Sequence, residues 1–192
     1  MTIAATHDRI LDAALAVMTR HGLARLALED VAREAHVSRQ TVYRYVGNRD
    51  GLITETILRE ERAFLDRMRG AAAGHDRLEA ALAAAIASAL TSAREHPLLD
   101  RLLASEPEVL LPFLTDGSGP VLSAARTVVD ELLAVHVPTL EDEARAEAAD
   151  AVTRLVISYA ISPVETPVDR LAGRLAGVLA NGVAPVGEPA PR

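Results

Sequence analysis

The most specific chemistry in this 192-residue chain is concentrated in the twelve residues from Ser38 to Arg49. Arg39, Gln40 and Thr41 have side chains that match the edges of base pairs. Arg can give two parallel N–H groups to guanine O6 and N7, Gln can pair both ways with adenine, and Thr can meet the thymine methyl. Ser38 and Tyr43 join them at the same helix end, while Tyr43, Tyr45 and Arg49 suit phosphate oxygens. Backbone N–H groups at a helix start add to that. The run holds Arg39, Arg44 and Arg49 and no acid. Such a run is most often only a solvated helix face, so the elements that carry it decide its meaning.

Other chemistries find little support. With no Cys, disulfide scaffolds, thiolate metal sites and cysteine nucleophiles are excluded. The six His residues, at 7, 21, 36, 75, 96 and 136, include no pair at i, i+3 or i+4 that a helix would bring onto one metal. There is no HExxH, P-loop or GxSxG, and Gly117–Gly119 has no strand before it and no Lys after it. We therefore expect no enzyme activity, no metal and no cofactor. The first ten residues lack a basic region followed by an apolar run, and the longest uncharged stretch, Ala80 to Ala93, is too short to span a bilayer. A soluble, cytoplasmic protein is expected.

The net charge of −7 argues against a general nucleic-acid coat, but it is unevenly spread. All basic residues are Arg. The first 51 residues are close to neutral, and the acidic excess lies in the remainder. A domain boundary near Gly51 is the natural expectation, with domains over 1–51 and 52–182 and a disordered, Gly- and Pro-rich tail over 183–192.

Apolar residues recur at helical spacing, and no stretch has a period of two, so the expected fold is all-α. Helix 1 is expected from Thr6 to His21, with Gly22 as its stop. Helix 2 spans Leu28 to Ala35 and helix 3 follows Ser38, an N-cap by type. Helix 4 is expected over Arg49–Arg69, with Gly70 and Gly74 bracketing a link. Further helices are expected over Asp76–His96, Leu98–Ser105, Glu108–Leu114, Pro120–His136, Leu140–Ile161 and Val168–Ala180.

Within Ala27–Val46 these elements make a helix-turn-helix. Val31 and Ala32 must pack against Val42, and small residues at Ala32 and Ala35 allow close approach. The turn at His36 requires a backbone with positive φ, which His tolerates better than most residues. Helix 3 then presents Arg39, Gln40, Thr41 and Tyr43 at the end that enters a major groove in this motif. The string LEDVAREAHVSRQTVYRYVGNRDGL, preceded by ILDAALAVMTRHG, resembles the DNA-binding domain of TetR-family transcriptional regulators. The departures are Ala27 where the family usually has Thr, His36 for the turn Gly, Val46 for Phe and Arg49 for Lys.

That resemblance implies a homodimer on a pseudo-palindromic operator, with double-stranded DNA as partner, and a helical second domain that binds a small, largely apolar molecule and dimerises. It implies repression as the usual outcome. Candidate ligand residues are Phe64, Met68, His96, Phe113, His136 and Tyr159. The candidate dimer interface comprises Val152, Leu155, Val156, Tyr159, Leu171, Leu175, Val178 and Leu179, with Gly173 and Gly177 suggesting a close helix crossing. The alternative is an interaction adaptor of the same fold without DNA binding.

Overall fold

The computed structural model describes residues 3–115 and 120–183. Ten helices and no strand occur among them. In order they are α1 (Ile3–His21), α2 (Leu28–Glu34), α3 (Arg39–Val46), α4 (Arg49–Ala72), α5 (Leu78–Glu95), α6 (Pro97–Ser105), α7 (Pro107–Thr115), α8 (Pro120–His136), α9 (Asp142–Ile161) and α10 (Val168–Val183). None of the described helices is long and apolar enough to cross a membrane.

The helix starts and stops follow local chemistry. α1 ends where Gly22 takes φ +82 and returns its N–H to the Met18 carbonyl at 2.8 Å. Pro97 opens α6 and Pro107 opens α7, where a missing N–H costs nothing. Several expected boundaries shift by a few residues, α1 starting at Ile3, α5 at Leu78 and α10 ending at Val183, and two of the shifts have a local cause. α4 runs through Gly70 to Ala72 and turns at Gly74, φ +81, because a single interior Gly costs only about 1 kcal/mol. α9 begins at Asp142 rather than Leu140 because Leu140 closes a turn onto Val137 at 3.0 Å. α10 runs on to Val183, the first residue of the expected tail; the rest of that tail and the Gly117–Gly119 loop lie outside the described residues.

By packing the chain forms two compact units. Of the described residues, the first comprises those up to Ala63 together with Glu95–Leu111; the second comprises Phe64–Arg94 and those from Pro112 onward. This division differs from a cut at Gly51, since α4 continues unbroken past that residue and α6 packs on α1.

In the first unit, Ile10, Ala14, Val17 and Met18 of α1 are buried together with Leu28, Val31 and Ala32 of α2 and Val42 and Val46 of α3. α2 packs on both α1 and α3, with Ala32 and Ala35 almost fully buried, as close approach requires. In the second unit the Ala-rich face of α5 buries Ala81, Leu82, Ala85, Ile86 and Leu90 with Leu133, Val152, Leu171, Ala172 and Ala176. A second cluster joins Leu65, Met68, Ala89 and Val128. Each large apolar side chain buried there contributes about 1.5–3 kcal/mol.

Candidate nucleic-acid interface

The turn between α2 and α3 fixes the site. His36 adopts φ +53, the left-handed conformation its position demands, and Val37 returns its N–H to the Ala32 carbonyl at 3.0 Å. Ser38 is extended and caps α3: its Oγ accepts from the Thr41 backbone N–H at 3.1 Å and lies 2.9 Å from Thr41 Oγ1. Ala27, by contrast, stands at the α2 N-cap with no side-chain hydrogen bond. With Val42 and Val46 buried, α3 turns Arg39, Gln40, Tyr43 and Arg44 to the surface. Tyr43, 44% exposed, is a large side chain that no core contact requires there. Ser38 and Thr41 serve the cap as well as facing that surface.

The remaining candidates have additional partners. Arg39 forms an ion pair with Glu29 of α2. Tyr45 is half-buried, stacked on His7 with ring centroids 6.0 Å apart, and the Arg44 guanidinium lies 5.5 Å from its centroid. His7 Nε2 is 2.7 Å from a Glu55 carboxylate oxygen, so α1, α3 and α4 meet around Tyr45. Arg49 was expected at a phosphate, but its guanidinium is turned onto the loop between α1 and α2. Nε donates to the Leu26 carbonyl at 3.0 Å and Nη2 to those of Leu23 and Ala24. Loop carbonyls without helix partners attract the nearest cation.

That loop is also held from α6. The Glu106 carboxylate, just past the α6 C-terminus, accepts from the Ala24 N–H at 3.1 Å, and its other oxygen occupies the place a Cβ on Gly22 would take. Sequence reasoning missed Glu29, His7, Arg44, Asn48 and Glu106. Two had a signal. Arg44 lies in the acid-free run, and Asn48 precedes a helix, where its Oδ1 accepts from Gly51 N–H at 2.8 Å. The others are partners across the fold.

A surface hollow of the first unit is lined by the charged and polar residues Arg20, His21, Asp30, Arg33, Glu34 and His36. Arg20 bonds Glu34 and holds its carboxyl below the ordinary range. Asp30 accepts from Arg33 at 2.9 Å. Among the described residues no group of His, Asp and Glu is placed to hold a metal ion.

The candidate ligand residues fall in both units. Phe64 and Met68 share the smaller apolar cluster, and Tyr159 packs on the larger one. His96 belongs to the first unit, where its Nδ1 accepts from Leu99 N–H at 3.4 Å and its Nε2 faces Glu60 at 3.5 Å. The hydrogen bond from His96 lowers the Glu60 carboxyl from its ordinary value. His136 ends α8 with one ring nitrogen 2.9 Å from the Leu132 carbonyl and the other 2.9 Å from that of His75. These two histidines hold helix ends. The Phe113 side chain lies outside what is described.

The expected dimer stripe narrows. Val152 and Leu171 are buried in the subunit's own core, and Val156, Tyr159, Leu175 and Leu179 pack partly against it. Leu155 is half-buried, and Val178 is 71% exposed. The expected close crossing at Gly173 and Gly177 is not made within the subunit. A Cβ at Gly173 would meet nothing within 4 Å, and at Gly177 only a Glu79 oxygen at 3.5 Å.

With this geometry in view, the likenesses to known proteins are specific. Residues 10–56 match the family model for bacterial regulatory proteins of the tetR family. Residues 77–181 match the model for the bacterial tetracyclin repressor C-terminal domain. The HTH-type transcriptional regulator AlkX of Mycobacterium tuberculosis is 27% identical over 161 residues, 82% of this chain and 76% of that protein. The HTH-type transcriptional repressor SCO4008 of Streptomyces coelicolor is 37% identical over 62 residues, 32% of this chain and 31% of that protein. Among solved structures, the TetR family repressor AlkX from Dietzia sp., implicated in biodegradation of n-alkanes, is similar with a TM-score of 0.69. It shows 29% identity and covers 92% of this chain and 94% of that one.

Proposed function

The chain belongs to the TetR family of bacterial transcriptional regulators, and from that membership we propose that it is a repressor that binds a pseudo-palindromic operator as a homodimer. It is a DNA-binding regulator, and α3 is its reading helix in this proposal. The observation that carries the assignment is the capped α3 with Arg39, Gln40 and Tyr43 outward and both of its valines buried. Ser38 and Thr41 complete that surface at the helix start, Tyr45 and Arg44 flank it, and Arg49, the first residue of α4, ties down the loop between α1 and α2.

A two-fold dimer places two such helices about 34 Å apart, one turn of B-DNA, so the site is two inverted half-sites. Dimerisation is assigned to the exposed side of α9 and α10, centred on Val178 and the open glycines Gly173 and Gly177. Release is assigned to a small, largely apolar molecule received by the second unit, where the likeness to the Dietzia repressor implicated in n-alkane biodegradation supports an alkyl character. Phe64 and Met68 are the contacts proposed for it. A ligand of this kind acts only through different affinities for two arrangements of the protein.

Selection of random duplex DNA by the purified protein, sequenced after several rounds, tests the reading. A pseudo-palindrome is expected, and Arg39→Ala or Tyr43→Ala should weaken binding to it by about 1–3 kcal/mol. Recovery of no preferred duplex, with no salt-dependent affinity, would favour an interaction adaptor of the same fold.

A further inference from the structure

Arg39 is the first residue of α3, a position where the helix dipole disfavours a cation. Glu29 stands in the first turn of α2, where an anion is favoured. The two helices pack together through buried Val31, Ala32 and Val42 beneath this pair. The acids of α2 are also individually matched: Glu29 to Arg39, Asp30 to Arg33, and Glu34 to Arg20. Both members of the first pair are solvent-exposed, 59% for the Arg39 side chain and 44% for that of Glu29. Such a pair adds little to stability. Its effect falls on what the guanidinium can do.

We propose that Glu29 is a positioning residue for DNA recognition: its carboxylate holds the Arg39 guanidinium against α2, away from phosphates, and aims its remaining donors at one base edge. This rests on α3 being the reading helix. The contact is made through Nη2, and a guanidinium has five N–H groups, so one carboxylate oxygen leaves enough for bidentate pairing with guanine. Arranging the side chain beforehand removes part of the ordering cost of binding. The same carboxylate competes with phosphate oxygens, which lowers affinity for DNA of any sequence. Glu29 therefore trades general affinity for discrimination.

The test compares the selected operator duplex with a scrambled duplex over a range of salt, for Glu29→Gln with Arg39 intact and with Arg39→Ala. With Arg39 intact, Glu29→Gln is expected to bind scrambled DNA roughly three- to tenfold more tightly at low salt, with a log–log salt slope steeper by about one. It should also lose several-fold discrimination at one base pair in each half-site. In the Arg39→Ala background the same change should do neither. Glu29→Asp, which keeps the charge and shortens the reach, should lose discrimination with a smaller gain on scrambled DNA. Thermal midpoints should stay within the spread of repeat measurements, which shows that the fold is intact. Equal tightening in both backgrounds would mean simple loss of repulsion and would overturn the proposal, as would unchanged discrimination. If the wild type prefers no duplex at all, the reading of α3 has failed and this proposal with it, a result visible before any variant is made.

Discussion

The junction of Gly22, Ala24 and Glu106 allows a stability prediction with a built-in control. Substituting Ala at Gly22 places a Cβ 1.8 Å from a Glu106 carboxylate oxygen and asks a non-glycine residue to hold φ +82. The carboxylate is the free end of a flexible side chain and swings away, giving up its bond to the Ala24 N–H. The left-handed conformation costs about 1–2 kcal/mol and the lost hydrogen bond about 1 more, so Gly22→Ala should destabilise the protein by about 2–3 kcal/mol. For a chain of this size that lowers the thermal midpoint by roughly 4–12 °C. Glu106→Ala alone should cost about 1 kcal/mol, the same hydrogen bond. In the double variant that bond is lost only once, so urea unfolding at one protein concentration should show the double to be about 1 kcal/mol less destabilised than the sum of the singles. Strict additivity, or a Glu106→Ala variant as stable as wild type, would refute the reasoning.

Three other outcomes are expected. Ala27 already has the extended backbone of an N-cap, φ −112 and ψ 134, so Ala27→Thr should raise stability by about 0.5–1 kcal/mol in urea unfolding. Ser38→Ala should cost about 1 kcal/mol, whereas Ser38→Asp should keep the cap and weaken operator binding through repulsion of phosphates, which separates folding from function in paired melting and binding measurements. Glu60 titrates below its ordinary value chiefly because His96 hydrogen-bonds it, so its stabilising effect is present above the unfolded carboxylate value and disappears as pH falls through the folded one. His96→Ala should move the Glu60 carboxyl midpoint, followed by carbon-13 NMR, up toward the ordinary value and flatten the acid limb of the stability profile.

What the sequence reveals and what it conceals divide by distance along the chain. The positive φ of His36, the Ser38 cap and the bare Ala27 cap are local chemistry, legible from residue types within four positions. The α3 surface is legible because Val42 and Val46 fix which way the helix turns. The Arg49 clamp reaches back 26 residues to Leu23, and Glu106 reaches back 82 to Ala24. A charged side chain does not declare which loop will have spare carbonyls or N–H groups. Val152 and Leu171 expose another limit: periodicity shows that a helix face is apolar, and leaves open whether the subunit or a partner covers it. His96 and His136 stand among the candidate ligand residues, and each lies at a helix boundary, a use that spacing alone does not disclose.

The held loop between α1 and α2 has a consequence for how this reading head is made and moved. Ala24 finds its carboxylate, and α1 a second packing partner beside α2, in the Glu95–Leu111 segment. During synthesis, more than half of the chain, through Leu111 of 192 residues, emerges before the first unit has all its parts, and the intervening α5 is made before they are complete. Recombination is constrained in the same way. A chimera spliced at Gly51 inherits the helix-turn-helix but leaves behind Glu106 and the buried Leu98 and Leu102 of α6. A transplant that keeps the reading head whole must carry two separate stretches of chain.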